Sequence, residues 1–165
     1  MKILVLSDSH SAMRFMCSCV EKIKPQAIVH LGDYYDDGEP LKELYPHIPL
    51  HQVPGNCDVY RCPPGVHTRL CYDVCGVRLF MTHGHKYGVK GSTALLRAEA
   101  RAMEAQAALY GHTHVAEVDR EENSMWGMNP GTAGYGGGSA GLIETDGKTI
   151  LSCRIITGEN LEEFV

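Results

Sequence analysis

Short apolar runs rich in β-formers recur along this chain, and five of them stop at a cluster drawn from Gly, Asp, Asn and His. Residues 3–6 run into Ser7-Asp8-Ser9-His10, after which Met13, Met16, Val20 and Ile23 recur at helical spacing until Pro25 halts the pattern. Residues 27–31 form a second apolar run that ends in Gly32-Asp33, so the opening reads as a βαβ unit. A short helix over residues 40–44 precedes a strand over 50–53, which ends in Pro54-Gly55-Asn56, and Pro63-Pro64-Gly65 marks an irregular loop.

Residues 70–74 and 77–81 flank Cys75-Gly76 as a hairpin, and the second strand runs into Thr82-His83-Gly84-His85. A loop over 88–91 leads to a helix expected over 92–107, rich in Ala, Leu, Arg, Glu and Met, with Ser92 as its N-cap. A strand over 108–110 then ends in Gly111-His112-Thr113-His114. Antiparallel strands follow over 115–120, 125–128, 140–145 and 149–156, the last two joined at Asp146-Gly147. The six glycines of 131–141 read as a mobile loop. No repeat or linker interrupts the chain, so the expectation is one domain over 1–165, an α/β fold with mixed sheets.

Composition excludes several classes. With 165 residues, 44% hydrophobic and 21% charged, the chain sits near globular averages and needs no covalent staples. A net charge of −5 without a basic run argues against stable nucleic-acid binding. No apolar run approaches the roughly 20 residues of a membrane span. Seven cysteines form no C-x-x-C pair, and Met1 leads directly into a strand without a secretory leader, so reduced thiols in a cytoplasm are expected.

The nine histidines carry the chemistry. In open α/β sheets ligands collect beyond the carboxyl ends of strands, so clusters spread over roughly 100 residues of sequence can converge on one crevice. Each cluster alone is an ordinary turn signal. The ordered set of five at successive strand ends is not, and its imidazole, carboxylate and amide groups suit Mn²⁺, Fe²⁺, Zn²⁺ or Ni²⁺ better than an all-oxygen Ca²⁺ cage.

With Gly55-Asn56-Cys57-Asp58 and Asn129-Pro130-Gly131-Thr132 added to the other clusters, the sequence resembles the calcineurin-like metallophosphoesterases, and within them the small bacterial and archaeal phosphodiesterases of the YfcE type. The resemblance implies a four-layer α/β/β/α sandwich with two mixed β-sheets and a dinuclear metal site at their C-terminal rim. It places Asp8, His10, Asp33 and His114 on one ion, and Asp33, Asn56, His83 and His112 on the other, with Asp33 as the bridge. Two divalent ions, Mn²⁺ first among the candidates, would then acidify a bridging water, and that hydroxide would attack phosphorus in line. By formal charge, two ions with Asp8, Asp33 and a hydroxide leave about +1, the complement of a monoanionic diester; a carboxylate in place of Asn56 would cancel it. The implied partner is a small phosphodiester, with no membrane, and a homo-oligomer is compatible with the sequence.

Where the larger family carries a histidine after Gly-Asn that is thought to protonate the leaving group, this chain has Cys57. The expectation is a small apolar filler rather than an essential acid. His85 is a candidate to orient a ligand or contact substrate. His30 reads as a core residue, His47, His51 and His67 as unconnected to a motif, and Asp36 and Asp37 as an acidic surface turn. Tyr34, Tyr35, Tyr60 and Tyr135 are candidates to line a cleft. The competing function is a protein-interaction scaffold like the retromer subunit that shares this fold, although all seven ligand positions are filled here.

Overall fold

The computed structural model describes residues 1–122 and 125–164. Two five-stranded sheets organise it, both mixed. The first runs β10-β9-β1-β2-β3, from β1 (Lys2–Leu6), β2 (Ala27–His30), β3 (Leu50–Gln52), β9 (Ser139–Thr145) and β10 (Ile150–Thr157). The second runs β4-β5-β6-β8-β7, from β4 (Arg69–Val74), β5 (Val77–Thr82), β6 (Ala107–Leu109), β7 (Ala116–Arg120) and β8 (Trp126–Pro130). Among the described residues no helix is long and apolar enough to cross a membrane.

Alternation along the strands builds the layers, because successive side chains point to opposite faces. Ile3 and Val5 of β1 meet Leu79, Met81, Leu109 and Met128 between the sheets. Leu4 and Leu6 point the other way, against Met16, Val20 and Ile23 of α1 (Met13–Ile23) and Leu41 of α2 (Gly38–Leu44). On the far side of the second sheet, Phe80 and Ala108 pack on Leu96 and Ala100 of α3 (Ala94–Ala102). The result is the α/β/β/α sandwich, and it explains why β1 and β2 read as unbroken apolar runs: both faces are covered.

Two local expectations are corrected. The helix expected over 92–107 spans only Ala94–Ala102. Ser92 Oγ accepts the Ala94 N–H, but the N-cap residue is Thr93. The C-terminal disagreement has a tertiary cause: Ala107 is needed between Leu79 and Trp126 as the start of β6, and Glu104 turns the chain at φ +57°. Helix propensity over 103–107 loses to strand pairing. The glycine-rich segment read as a mobile loop is tied down at its start, since Ala133 and Gly134 donate to Ser7 and Asp8 carbonyls and the Thr132 hydroxyl donates to the Asp8 carbonyl. Its last residues, from Ser139 onward, belong to β9.

In each sheet three strands run parallel: β1, β2 and β3 in one, and β5, β6 and β8 in the other. Their carboxyl ends therefore deliver the polar clusters to one rim. A buried relay fixes the first of these turns. The Gly32 N–H donates to His30 Nδ1 at 3.3 Å, which leaves the hydrogen on Nε2 to donate to Ser9 Oγ at 3.0 Å, and the Ser9 hydroxyl donates to Asp37 Oδ2 at 2.6 Å. Asp37 also accepts the Ser11 N–H, so it is not a free surface acid as the sequence reading had it.

Burial holds His30 below its ordinary value of 6.5, against the opposing pull of Asp37, Asp58 and Asp8. The unfolded chain takes up a proton there that the folded chain refuses, so this stability is complete above about pH 6.5 and is lost as pH falls through it, at up to about 1.4 kcal/mol per pH unit. Urea unfolding of metal-free protein between pH 7 and pH 5 should show that slope. His30→Gln should lack this component, and equal pH slopes for the two proteins would contradict the assignment.

Candidate metal centre

His83 follows β5 and is fully buried. Its Nδ1 lies 2.8 Å from the Leu31 carbonyl, which can only accept, so Nδ1 carries the hydrogen and Nε2 turns its lone pair inward. That lone pair faces three oxygens: Asn56 Oδ1 at 3.1 Å, Asp33 Oδ1 at 3.6 Å and Asp8 Oδ1 at 3.9 Å. Apart from the Cys57 N–H on Asp33 Oδ1, these acceptors face one another with no hydrogen between them, the environment that a cation satisfies.

A second group adjoins it. His114 Nε2 lies 3.0 Å from Asp8 Oδ1, and the His10 and His114 rings are 5.5 Å apart, edge to face. Asp8-His10-His114 and Asp8-Asp33-His83 each offer three ligand atoms within 4.8 Å of one another. In this arrangement Asp8 belongs to both triads, whereas the family pattern makes Asp33 the shared ligand. His112 stands beside His83, ring centroids 5.1 Å apart, and donates its backbone N–H to Asp8 Oδ2. The seven residues singled out from sequence are thus brought to one rim. Among the described residues Asp8 Oδ1 and His10 Nε2 are buried without hydrogen-bond partners, a second sign that the donor set fits a divalent cation.

The backbone is bent to make this possible. Asp8, His10, Asp33, His112 and His114 all adopt positive φ, between +45° and +69°, a region that Asp, Asn and His tolerate better than most side chains. Neighbouring bonds hold the strain in place. Ser7 Oγ donates to Asp8 Oδ2 at 2.5 Å, Thr132 ties the Asp8 carbonyl, and the Cys57 N–H donates to Asp33 Oδ1 at 2.8 Å. Two glycines are obligatory for closeness: a Cβ on Gly55 would overlap Asp33 Oδ1, and one on Gly111 would overlap Ser7 Oγ.

Electrostatics follow from this crowding. Burial works to raise the Asp33 carboxyl, but the Cys57 N–H bond and the neighbouring His83 and His10 outweigh it and leave Asp33 below its ordinary value. Burial, then proximity to His83, lowers both His85 and His112, which keeps these imidazoles neutral. The Cys57 thiol is pushed up to about 11, first by desolvation and then by Asp33, so it remains a protonated thiol near neutral pH.

Several contributors carried no assigned role in the sequence reading. Asp58 is buried and accepts the Tyr35 N–H at 2.9 Å and the Gly55 N–H at 2.7 Å, fastening the Asp33 and Asn56 turns together. Asn129 donates to the Gly111 carbonyl and to Thr113 Oγ1, bracing the turn that carries His112 and His114. Their signal was present in the motifs that contain them. Of the four tyrosines, Tyr34 and Tyr135 flank His10 with centroids at 4.7 and 4.9 Å, Tyr35 contributes backbone, and Tyr60 is 98% exposed. Asp36 pairs with Arg61, which stacks on Tyr34 at 3.9 Å. His51 bonds Tyr72 OH at 2.9 Å, His67 is exposed, and neither has a contact with the centre.

Comparisons with known proteins find phosphoesterases and other proteins that share the fold. A curated relative, "Probable metallophosphoesterase YsnB" of Bacillus subtilis (strain 168), is 24% identical over 135 residues, covering 80% of this chain and 75% of the relative. Among solved structures, a conserved uncharacterized protein of Streptococcus pneumoniae TIGR4, described as a predicted phosphoesterase, superposes with a TM-score of 0.74 at 26% identity, covering 96% of this chain and 90% of its own. YfcE, a phosphoesterase from E. coli, gives 0.64 at 22% identity, with 93% and 98% covered. A Vps29 mutant from Entamoeba histolytica gives 0.69 at 20%, with 95% and 99% covered, and shares the fold. Residues 1–148 match the calcineurin-like phosphoesterase superfamily domain, and the chain belongs to that family.

Proposed function

We propose that this protein is a phosphodiesterase that works with two divalent metal ions, Mn²⁺ foremost, held by Asp8, His10, Asp33, Asn56, His83, His112 and His114. The observation that carries the reading is the inward lone pair of His83 facing the oxygens of Asn56, Asp33 and Asp8, with Asp8 continuing into the His10 and His114 group. When bound, such a pair of ions acidifies water and clamps the attacking and leaving oxygens of an in-line displacement at phosphorus.

The chain's own work is to orient and to keep ligands deprotonated. Leu31 holds the His83 tautomer, Ser7 and the His112 N–H occupy one Asp8 oxygen and leave the other free, and the Cys57 N–H holds Asp33. The lowered His112 and Asp33 keep neutral imidazole and ionised carboxylate at the pH where a metal must bind. Two carboxylates rather than three or four among seven ligands leave a small positive excess, which suits a monoanionic diester better than a dianionic monoester. The filled ligand set favours catalysis over the scaffold function considered from sequence.

Elemental analysis after reconstitution with excess Mn²⁺ should approach two ions per chain. Asp33→Ala should reduce both, His10→Ala chiefly one, and an active protein saturating at a single ion would overturn the dinuclear reading. Catalytic efficiency on an aryl phosphodiester should exceed that on the matching monoester, and a clear reversal would defeat the charge argument.

A thiol gives up its proton less readily than an imidazolium does and is the weaker acid toward a leaving group at neutral pH. Cys57→Ala should therefore cost less than about tenfold in rate on a diester with a good leaving group. A fall of roughly 10³-fold at unchanged metal content would make Cys57 a catalytic residue.

A further inference from the structure

Beside the candidate metal centre, between the turn that carries Asn56 and the segment from Cys62 to Thr68, lies a cleft of about 500 Å³. Asn56 and His85 line it, so it opens from the metal centre itself. The cavity of about 560 Å³ beside α1, lined by Val20, Lys24, Tyr45 and Ile48, has no residue of the centre in its wall. The rest of the cleft's wall is mainly apolar, with Pro54, Val59, Pro64 and Val66.

Its polar groups are largely committed elsewhere. Both Asp58 carboxylate oxygens accept backbone N–H groups, and the Thr68 carbonyl accepts the Thr82 hydroxyl. Lys86 is exposed, with its ammonium 3.5 Å from Thr68 Oγ1. His85 is the exception: its Nδ1 is buried without a partner among the described residues, while its ring stands 5.4 Å from His83 and 6.1 Å from His112. A concave, mainly apolar wall next to the candidate centre is the usual form of a site that orients a small organic group.

We infer that this cleft receives an uncharged aryl or similarly flat apolar arm of the diester whose phosphoryl group lies at the metal centre, with the His85 ring as part of the wall against that arm. The inference rests on the phosphodiesterase reading and adds the substrate class: diesters with at least one aryl-like arm are preferred to those with only small alkyl arms. On the other flank of the centre, Tyr34 and Tyr135 pack on His10.

Calorimetric titration of Mn²⁺-loaded protein with diphenyl phosphate and dimethyl phosphate tests the cleft without requiring turnover. Wild type should bind diphenyl phosphate about tenfold or more tightly than dimethyl phosphate. Val66→Trp, which fills the cleft, should bring that preference to within about twofold of unity. Val59→Asp should do the same by charging the wall, and at 72% exposure Val59 can be changed without a folding penalty from burial. No preference in wild type, or a preference that survives both variants, would overturn the inference. Hydrolysis of a bis-aryl diester is measured alongside: selective binding without hydrolysis leaves the cleft standing and sinks the phosphodiesterase reading, hydrolysis without arm preference does the reverse, and the absence of both defeats the two together.

Discussion

The inward lone pair of His83 is the constraint on which the centre turns. Facing it with carboxylate and amide oxygens is unfavourable unless a cation joins them, because acceptors removed from water need a partner. The His83 Nδ1 bond to Leu31 makes this placement possible by tying the end of β5 in one sheet to the strand end beyond β2 in the other. One hydrogen bond thus sets a tautomer, aims a ligand and fastens the two sheets at their shared rim. The left-handed turns at Asp8, Asp33, His112 and His114 follow from the same demand, since a strand that ran straight on would carry its carboxylate or imidazole past the centre. Such backbone costs about 1–2 kcal/mol per ordinary residue, less for Asp and His, and persists only where the surroundings hold it.

Those surroundings come from topology. Three parallel-paired strands in each sheet bring six carboxyl ends to one edge; β9, β4 and β7 run against them, and β10, antiparallel to β9, runs with β1 but ends beyond the clusters. The glycine before Asn56 and the one before His112 let backbone and ligand approach within contact distance, so the centre is compact although its residues span much of the chain.

The strands and the polar clusters that end them were legible because both signals are local, an apolar run and then metal-ligand side chains beside glycine, whereas the set of seven candidate ligands came from the family resemblance. The same locality misplaced the end of α3, where residues 103–107 have helix-forming side chains but Ala107 is claimed by strands on either side. It also hid the residues that hold the turns. Asp37 reaches back to Ser9 and Ser11, Thr132 bonds the Asp8 carbonyl across 124 residues of sequence, and His30 is a buried relay rather than mere packing. None of these contacts has a period or spacing by which sequence could announce it.

Burial across the centre is graded, and the gradient gives the site a direction. Asp8 and His83 are at 0% exposure and Asp33 at 3%, whereas Asn56 and His114 are exposed. Charge is therefore concentrated at the floor, where low dielectric strengthens its hold on a cation and where the backbone is most tightly tied. The ligands nearest solvent are a neutral amide and an imidazole, which can share a cation with an incoming anion without bringing a second negative charge against it. In the proposed function a phosphoryl group would meet the centre from the exposed side of Asn56 and His114, and the apolar cleft lined by Asn56 adjoins that side. In the proposed function, selectivity and reactivity would thus be divided by depth: carboxylates and buried imidazole would hold the metal at the floor, and the exposed rim would sort what is presented to it.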